Sequence, residues 1–200
     1  MPEINPLAER SAGGGGGGGG FPAVSKTTLP IAGLHVDVYG LDELQATATS
    51  ISCLWIHHPR IRRKEDMSDI AKEIISAFNA SSSSSSSSSR GMIAVAFDQR
   101  NHGTRLISEI RNDSWKKGNS THAKDMFGTI SGTVMDTIHL LDLLEGYLFP
   151  GGNRCIDSNL VLGVSLGGHC AWQLLFNEPR ITAGVIVIGC PDYMSKSMFP

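Results

Sequence analysis

The stretch Asn159-Leu160-Val161-Leu162-Gly163-Val164-Ser165-Leu166-Gly167-Gly168-His169-Cys170 decides how the rest of the chain is read. An apolar run breaks off at a small-x-Ser-x-small pentapeptide, and helix-compatible residues follow to Phe176, so the order is strand, sharp turn, helix. This is the form of a nucleophile elbow. Gly163 and Gly167 flank the serine because the turn brings the strand and helix backbones together, where a Cβ would collide. The same turn strains the Ser165 backbone and lifts its Oγ out of the sheet. The first amides of the new helix point the same way, so the N–H of Leu166 is available to a developing oxyanion. The bland alternative is a Gly-rich turn whose serine caps the helix.

Outward from the elbow, apolar runs alternate with helical patterns. Thr27–Ile31 and Leu34–Tyr39 flank Gly33 as a hairpin. The second alternates apolar and polar residues, as in a half-exposed strand near a sheet edge, with His35 on the polar phase. Ile51–Ile56 and Met92–Phe97 are apolar almost throughout and suit strands covered on both faces. They run into His57-His58-Pro59-Arg60 and Asp98-Gln99-Arg100-Asn101-His102-Gly103, loops at strand carboxyl ends, where ligands bind in open α/β sheets. Apolar residues at three- and four-residue spacing predict a helix over 66–79. Phe127, Ile130, Val134, Ile138, Leu141, Leu144 and Leu148 predict a long helix that stops at Pro150-Gly151-Gly152. Ala183–Gly189 reads as a last apolar strand. Strands alternating with helices mean an α/β fold: a mostly parallel sheet, helices on both faces and right-handed crossovers.

Two low-complexity runs interrupt this pattern. Glycines occupy 13–20 and serines 81–89. Neither can bury apolar surface, so residues 1–25 are expected to be a disordered tail, 26–200 the folded domain, and the serine run a solvated loop.

Hydrophobic residues make up 40% of the chain and its net charge is -2, which supports a sizeable core and gives no electrostatic case for nucleic acid or an anionic membrane. The basic residues near 60 to 64 form only a local cluster. Four scattered cysteines without a C-x-x-C pair read as reduced thiols. The N-terminus carries no secretory pattern and no stretch is apolar enough to span a bilayer, so the expected location is cytoplasmic. A small-molecule or acyl substrate is the expected partner, with no cofactor. No metal site is read from His102 and His122, because no carboxylate-rich ligand cluster accompanies them.

The serial order resembles the α/β-hydrolase fold over about residues 26 to 192: hairpin, His-containing loop, Asp-x-Arg-x-x-Gly, long helix, then Gly-x-Ser-x-Gly. The segment Asn112-Asp113-Ser114-Trp115-Lys116-Lys117-Gly118-Asn119-Ser120-Thr121-His122-Ala123-Lys124-Asp125-Met126, with Gly189-Cys190-Pro191-Asp192-Tyr193, is similar to a group of fungal α/β-hydrolase-like proteins. The resemblance implies a serine hydrolase acting on an ester, thioester or amide, with Ser165 as nucleophile and the Leu166 amide as one oxyanion donor. It implies a second donor from the His57–Arg60 loop. Proline has no N–H, so the register that sets His58 against the family histidine and leaves the Arg60 amide as donor is preferred. Gly163, Gly167, Gly168, His58 and Asp98 then hold the elbow and its loops.

The resemblance also implies an acid and a histidine after the serine, and here the chain departs from it. It ends after the sixth strand. His169 is the only later histidine, and its place one turn along the same helix is expected to carry it away from the serine. Asp192 stands at an acid position used by a minority of the family. Without a base the serine hydroxyl is a weak nucleophile, so the expectation is a fragment of a longer hydrolase, nearly inert as it stands. The competing reading is a non-catalytic binding relative. A phosphate site at Gly167-Gly168 is disfavoured, since no Lys-Ser/Thr pair or G-x-G-x-x-G follows the strand.

Overall fold

The computed structural model describes residues 23–82 and 90–192, which form one six-stranded sheet with helices on both faces. Strands β1 (Lys26–Ile31) and β2 (Leu34–Tyr39) make a hairpin whose two turn residues, Ala32 and Gly33, both have positive φ (51° and 79°). This is the combination a two-residue turn needs to match strand twist. Then follow β3 (Ser50–His57), α1 (Ser68–Ser82), β4 (Arg90–Phe97), α2 (His122–Leu148), β5 (Cys155–Val164), α3 (Leu166–Asn177) and β6 (Ile181–Val187). The strand order is β1-β2-β4-β3-β5-β6. The first two pairings are antiparallel and the rest parallel.

Alternate residues of the central strands feed two cores. Cys53, Trp55, Val95 and Val161 pack with α2 and α3 on one face, whereas Leu54, Ile56, Ala94 and Leu162 pack with α1 on the other. The sequence steps to β4 on one side of β3 and to β5 on the other. The carboxyl ends of β3 and β5 therefore lie side by side at the switch point of the sheet. His57 pairs with Gly163 there, which brings the His57–Arg60 loop against the elbow. All four cysteines are free. Burial pushes the Cys53 and Cys170 thiols up, beyond ready ionisation.

Three expectations need correction. β2 is not half exposed: His35 faces solvent but Asp37 is fully buried, because β1 and β4 flank the strand and Lys64 reaches in from the turn before α1. Lys64 therefore leaves the basic cluster at 60 to 64. Its Nζ lies 2.7 Å from Asp37 Oδ1, and Thr28 Oγ1 donates to the same oxygen at 2.6 Å. Second, α1 takes in Ser81 and Ser82, and the hydroxyl of Ser81 donates back to the Phe78 carbonyl at 2.8 Å. The rest of the serine run, 83–89, lies outside the described residues, as do nearly all of the expected tail and residues 193–200. Third, the buried stripe of α2 keeps Ile130, Val134 and Leu144 of the expected set but also takes in Met126, Thr133, Thr137 and Leu140, leaving Phe127 37% exposed. The stripe turns because Gly132 leaves room on that face for the Arg100 side chain. The last strand, β6, is largely exposed. It pairs with β5 alone among the described residues, and Val185 is 56% exposed beside an apolar groove lined also by Leu54, Leu160 and Leu162. No helix among the described residues is long and apolar enough to cross a membrane.

Removing the cation from the buried pair would strand the Asp37 charge. Lys64→Met is expected to lower unfolding free energy by about 3–5 kcal/mol in urea titrations. Lys26→Met, at the partly exposed 3.4 Å contact, should cost less than about 1 kcal/mol.

Candidate active site

Ser165 occupies the turn between β5 and α3 with φ 54° and ψ -110°, a conformation non-glycine residues rarely hold. Close packing on three sides enforces it. A Cβ on Gly163 would run into the Gly167 carbonyl, and one on Gly167 would overlap the His57 carbonyl and lie 2.8 Å from the His57 Cβ. One on Gly168 would lie 3.0 Å from the Gly189 Cα. The Ser165 amide donates to the Val187 carbonyl at 2.7 Å, tying the elbow to β6. The hydroxyl makes no capping bond to α3, so the serine does not serve as a helix cap.

Half-exposed Ser165 and buried Leu166 border a cavity of about 170 Å³ with Arg60 and His169. His122, Met126 and Ile130 from the start of α2 complete its wall. Among the described residues the amides of Leu166 and Arg60 donate to no protein acceptor. Arg60 is anchored from its other end, where Nη1 donates to the Asn112 carbonyl at 2.7 Å. His169 borders this cavity rather than turning away from it, but its Nδ1 is engaged by the backbone of Cys190 (2.9 Å to the carbonyl). His122, Met126 and Ile130 are members that sequence reasoning did not place here. The one available signal was the position of His122 at the head of the long helix after the β4 loop. Asp192 is exposed and does not line the cavity.

His58 lies behind the loop. Its Nε2 receives the Gln99 amide at 3.1 Å and must be the bare nitrogen, so the proton sits on Nδ1 and is donated to the Pro59 carbonyl at 2.8 Å. The Gln99 side-chain amide donates to the His58 carbonyl, and β3's loop is thereby bound to β4's. Burial lowers the His58 pKa to about 4 and that of His57 to about 3, so both rings are neutral near pH 7. His57 is sealed beneath Gly167 with its Nε2 3.4 Å from Thr137 Oγ1.

Asp98 braces the second loop. Its carboxylate receives the Lys64 amide at 2.9 Å and both the amide and hydroxyl of Thr104 at 2.8 Å. Gly103, at φ 51°, leaves no room for a Cβ beside it. Burial disfavours the charge, yet these donors outweigh it and hold the Asp98 pKa below the usual carboxylate range. Arg100 and Arg105 reach Asp136 on α2 at 2.9 and 2.8 Å, fastening the loop to the long helix.

No family model matches the sequence, and no curated protein matches it. Among solved structures, a novel cold-adapted esterase from an Arctic intertidal metagenomic library is similar with TM-score 0.54 and 16% identity, over 92% of this chain and 65% of its own. TT1662 from Thermus thermophilus gives TM-score 0.54 and 18% identity, over 89% and 68%. The chain has the α/β-hydrolase fold. It spans less than two thirds of the esterase's length. Within this fold the elbow, the β3 loop and the β4 loop meet at one end of the sheet. No group of three or more metal-ligating side chains stands together among the described residues.

Two measurements test this packing. Gly167→Ala is expected to cost at least about 2 kcal/mol, seen as a lowered thermal midpoint, because the colliding partner is backbone. A carboxylate with a depressed folded pKa stabilises above its unfolded pKa and loses that contribution as pH falls through its folded one. Asp98→Asn should therefore cost about 1–3 kcal/mol at pH 7, and the deficit should shrink as urea midpoints are taken below about pH 4.

Proposed function

We propose that this protein is a serine hydrolase that attacks an ester, thioester or amide carbonyl through Ser165. One observation carries the reading: Ser165 is held at φ 54° by glycine contacts that leave no alternative, and its hydroxyl caps nothing while bordering a cavity. Strain of this kind persists only where surrounding structure over-determines it. The amides of Leu166 and Arg60 serve as oxyanion donors in this reading, Gly163, Gly167 and Gly168 allow the close approach, and His58 and Asp98 hold the loops.

Nucleophilic attack needs a base to take the hydroxyl proton. Two imidazoles border the cavity, but each has its Nδ1 on a backbone carbonyl: His169 on Cys190, and His122 on Asp113 at 2.7 Å. Among the described residues neither has a carboxylate partner. In this reading residues 1–200 bind substrate but, with neither imidazole oriented by a carboxylate among the described residues, turn it over poorly. The same observation favours a second reading, a non-catalytic relative that keeps the elbow as a binding turn.

A fluorophosphonate probe separates them. Labelling of Ser165 that disappears in Ser165→Ala is expected, with slow or no release of product from simple esters by the 200-residue chain. Labelling that persists in Ser165→Ala rules out the assignment, and an unlabelled serine in the whole protein establishes the binding relative.

A further inference from the structure

We infer that His122 is the general base for Ser165, taking the hydroxyl proton on its Nε2 while a backbone carbonyl stands where an orienting carboxylate usually does; the inference rests on the reading of Ser165 as the nucleophile. His122 opens α2 and lies on the wall of the cavity that Ser165 borders. The Asp113 carbonyl, 2.7 Å from His122 Nδ1, can only accept, so Nδ1 carries the proton and Nε2 is left with a lone pair. That is the tautomer a base needs. Buried His57 Nδ1 and His102 Nε2 are sealed without partners, whereas His122 Nε2 stays open and makes no bond among the described residues. Trp115 holds the ring at a second point, edge to face with centroids 4.6 Å apart.

The orienting carbonyl is itself fixed. Buried Asn119 donates from Nδ2 to the carbonyls of Arg111 and Asp113 and accepts the Thr121 amide, which closes the segment before α2 on itself. Arg60 ties that segment to the β3 loop through the Asn112 carbonyl. His169, the other imidazole on the cavity wall, is less suited. Its Nδ1 lies 2.9 Å from the Cys190 carbonyl and 3.3 Å from the Cys190 amide, and accepting from that amide places its proton on Nε2. Among the described residues no Asp or Glu lines the cavity to compete for the role.

The proton transfers balance on these residues. As Ser165 Oγ bonds to the substrate carbonyl carbon, its proton passes to His122 Nε2, directly or through one water, and the Leu166 and Arg60 amides receive the oxyanion. Collapse expels the alcohol, thiol or amine, which takes the proton back from Nε2. Water then repeats the exchange on the acyl-serine and releases the acid. The imidazolium has only a neutral carbonyl behind it, because the Asp113 carboxylate lies 3.5 Å from Lys117 Nζ, so each transfer is supported less than in a triad.

The rate at which a fluorophosphonate labels Ser165 in the full 200-residue chain reads this step without requiring turnover. His122→Asn keeps a side-chain N–H for the Asp113 carbonyl but removes the base, and is expected to slow labelling at least about 100-fold with little change in thermal midpoint. Imidazole added to His122→Ala should restore labelling in proportion to its unprotonated fraction. Labelling of His122→Asn at the unmutated rate overturns the assignment of the base while leaving Ser165 as the nucleophile. No labelling of Ser165 in the unmutated chain removes the nucleophile reading, and this inference with it. Slow labelling that imidazole does not rescue, with a lowered midpoint, also overturns the assignment, since His122 then only holds the fold.

Discussion

The contact on which the molecule depends is the approach of α3's first turn to the end of β3. Gly167 sits directly on the His57 carbonyl, and His57 is itself in register with Gly163 across the β3–β5 ladder. Three backbone segments thus meet where none can carry a side chain. The left-handed serine, the opening of α3 towards the cavity and the placement of the Arg60 loop all follow from that meeting. Strain at one residue is stable because rigid strands on both sides leave it no route of escape.

Buried polar groups then hold the loops that frame the serine. Neutral His58 works as a two-ended clamp, accepting from β4's loop and donating within its own, and its low pKa keeps that arrangement constant through the physiological range. Asp98 does the same work as an anion, collecting donors from the turn before α1 and from the loop after β4. The Asp37–Lys64 pair binds that turn to β2. Each group has at least one partner distant in sequence, Gln99 for His58 and Lys64 for both Asp98 and Asp37, so the sheet helps to position the site's loops.

Much of this was legible beforehand because it follows from period and punctuation. Uninterrupted apolar runs marked the parallel strands, glycines at two residues either side of Ser165 marked the elbow, and strand-end loops marked the active end of the sheet. Asp37 was illegible because an acidic residue in an alternating strand reads as solvent-facing until a lysine from another element is known to cover it. Part of the α2 stripe was illegible because Gly132, Thr133 and Thr137 lie on the buried face, Gly132 against Arg100 and Thr137 against His57, and a hydrophobicity pattern does not register a buried glycine.

By itself, then, the chain determined its element order, its parallel sheet and the strained serine turn, since those depend on side-chain periodicity and on local backbone freedom. Only the tertiary structure decided what surrounds Ser165. The anchoring of the Arg60 side chain on the Asn112 carbonyl and the arrival of His122 and Met126 at the cavity beside Ser165 bring together residues of different elements. Their meeting is set by strand order and helix packing, for which no local pattern carries a signal.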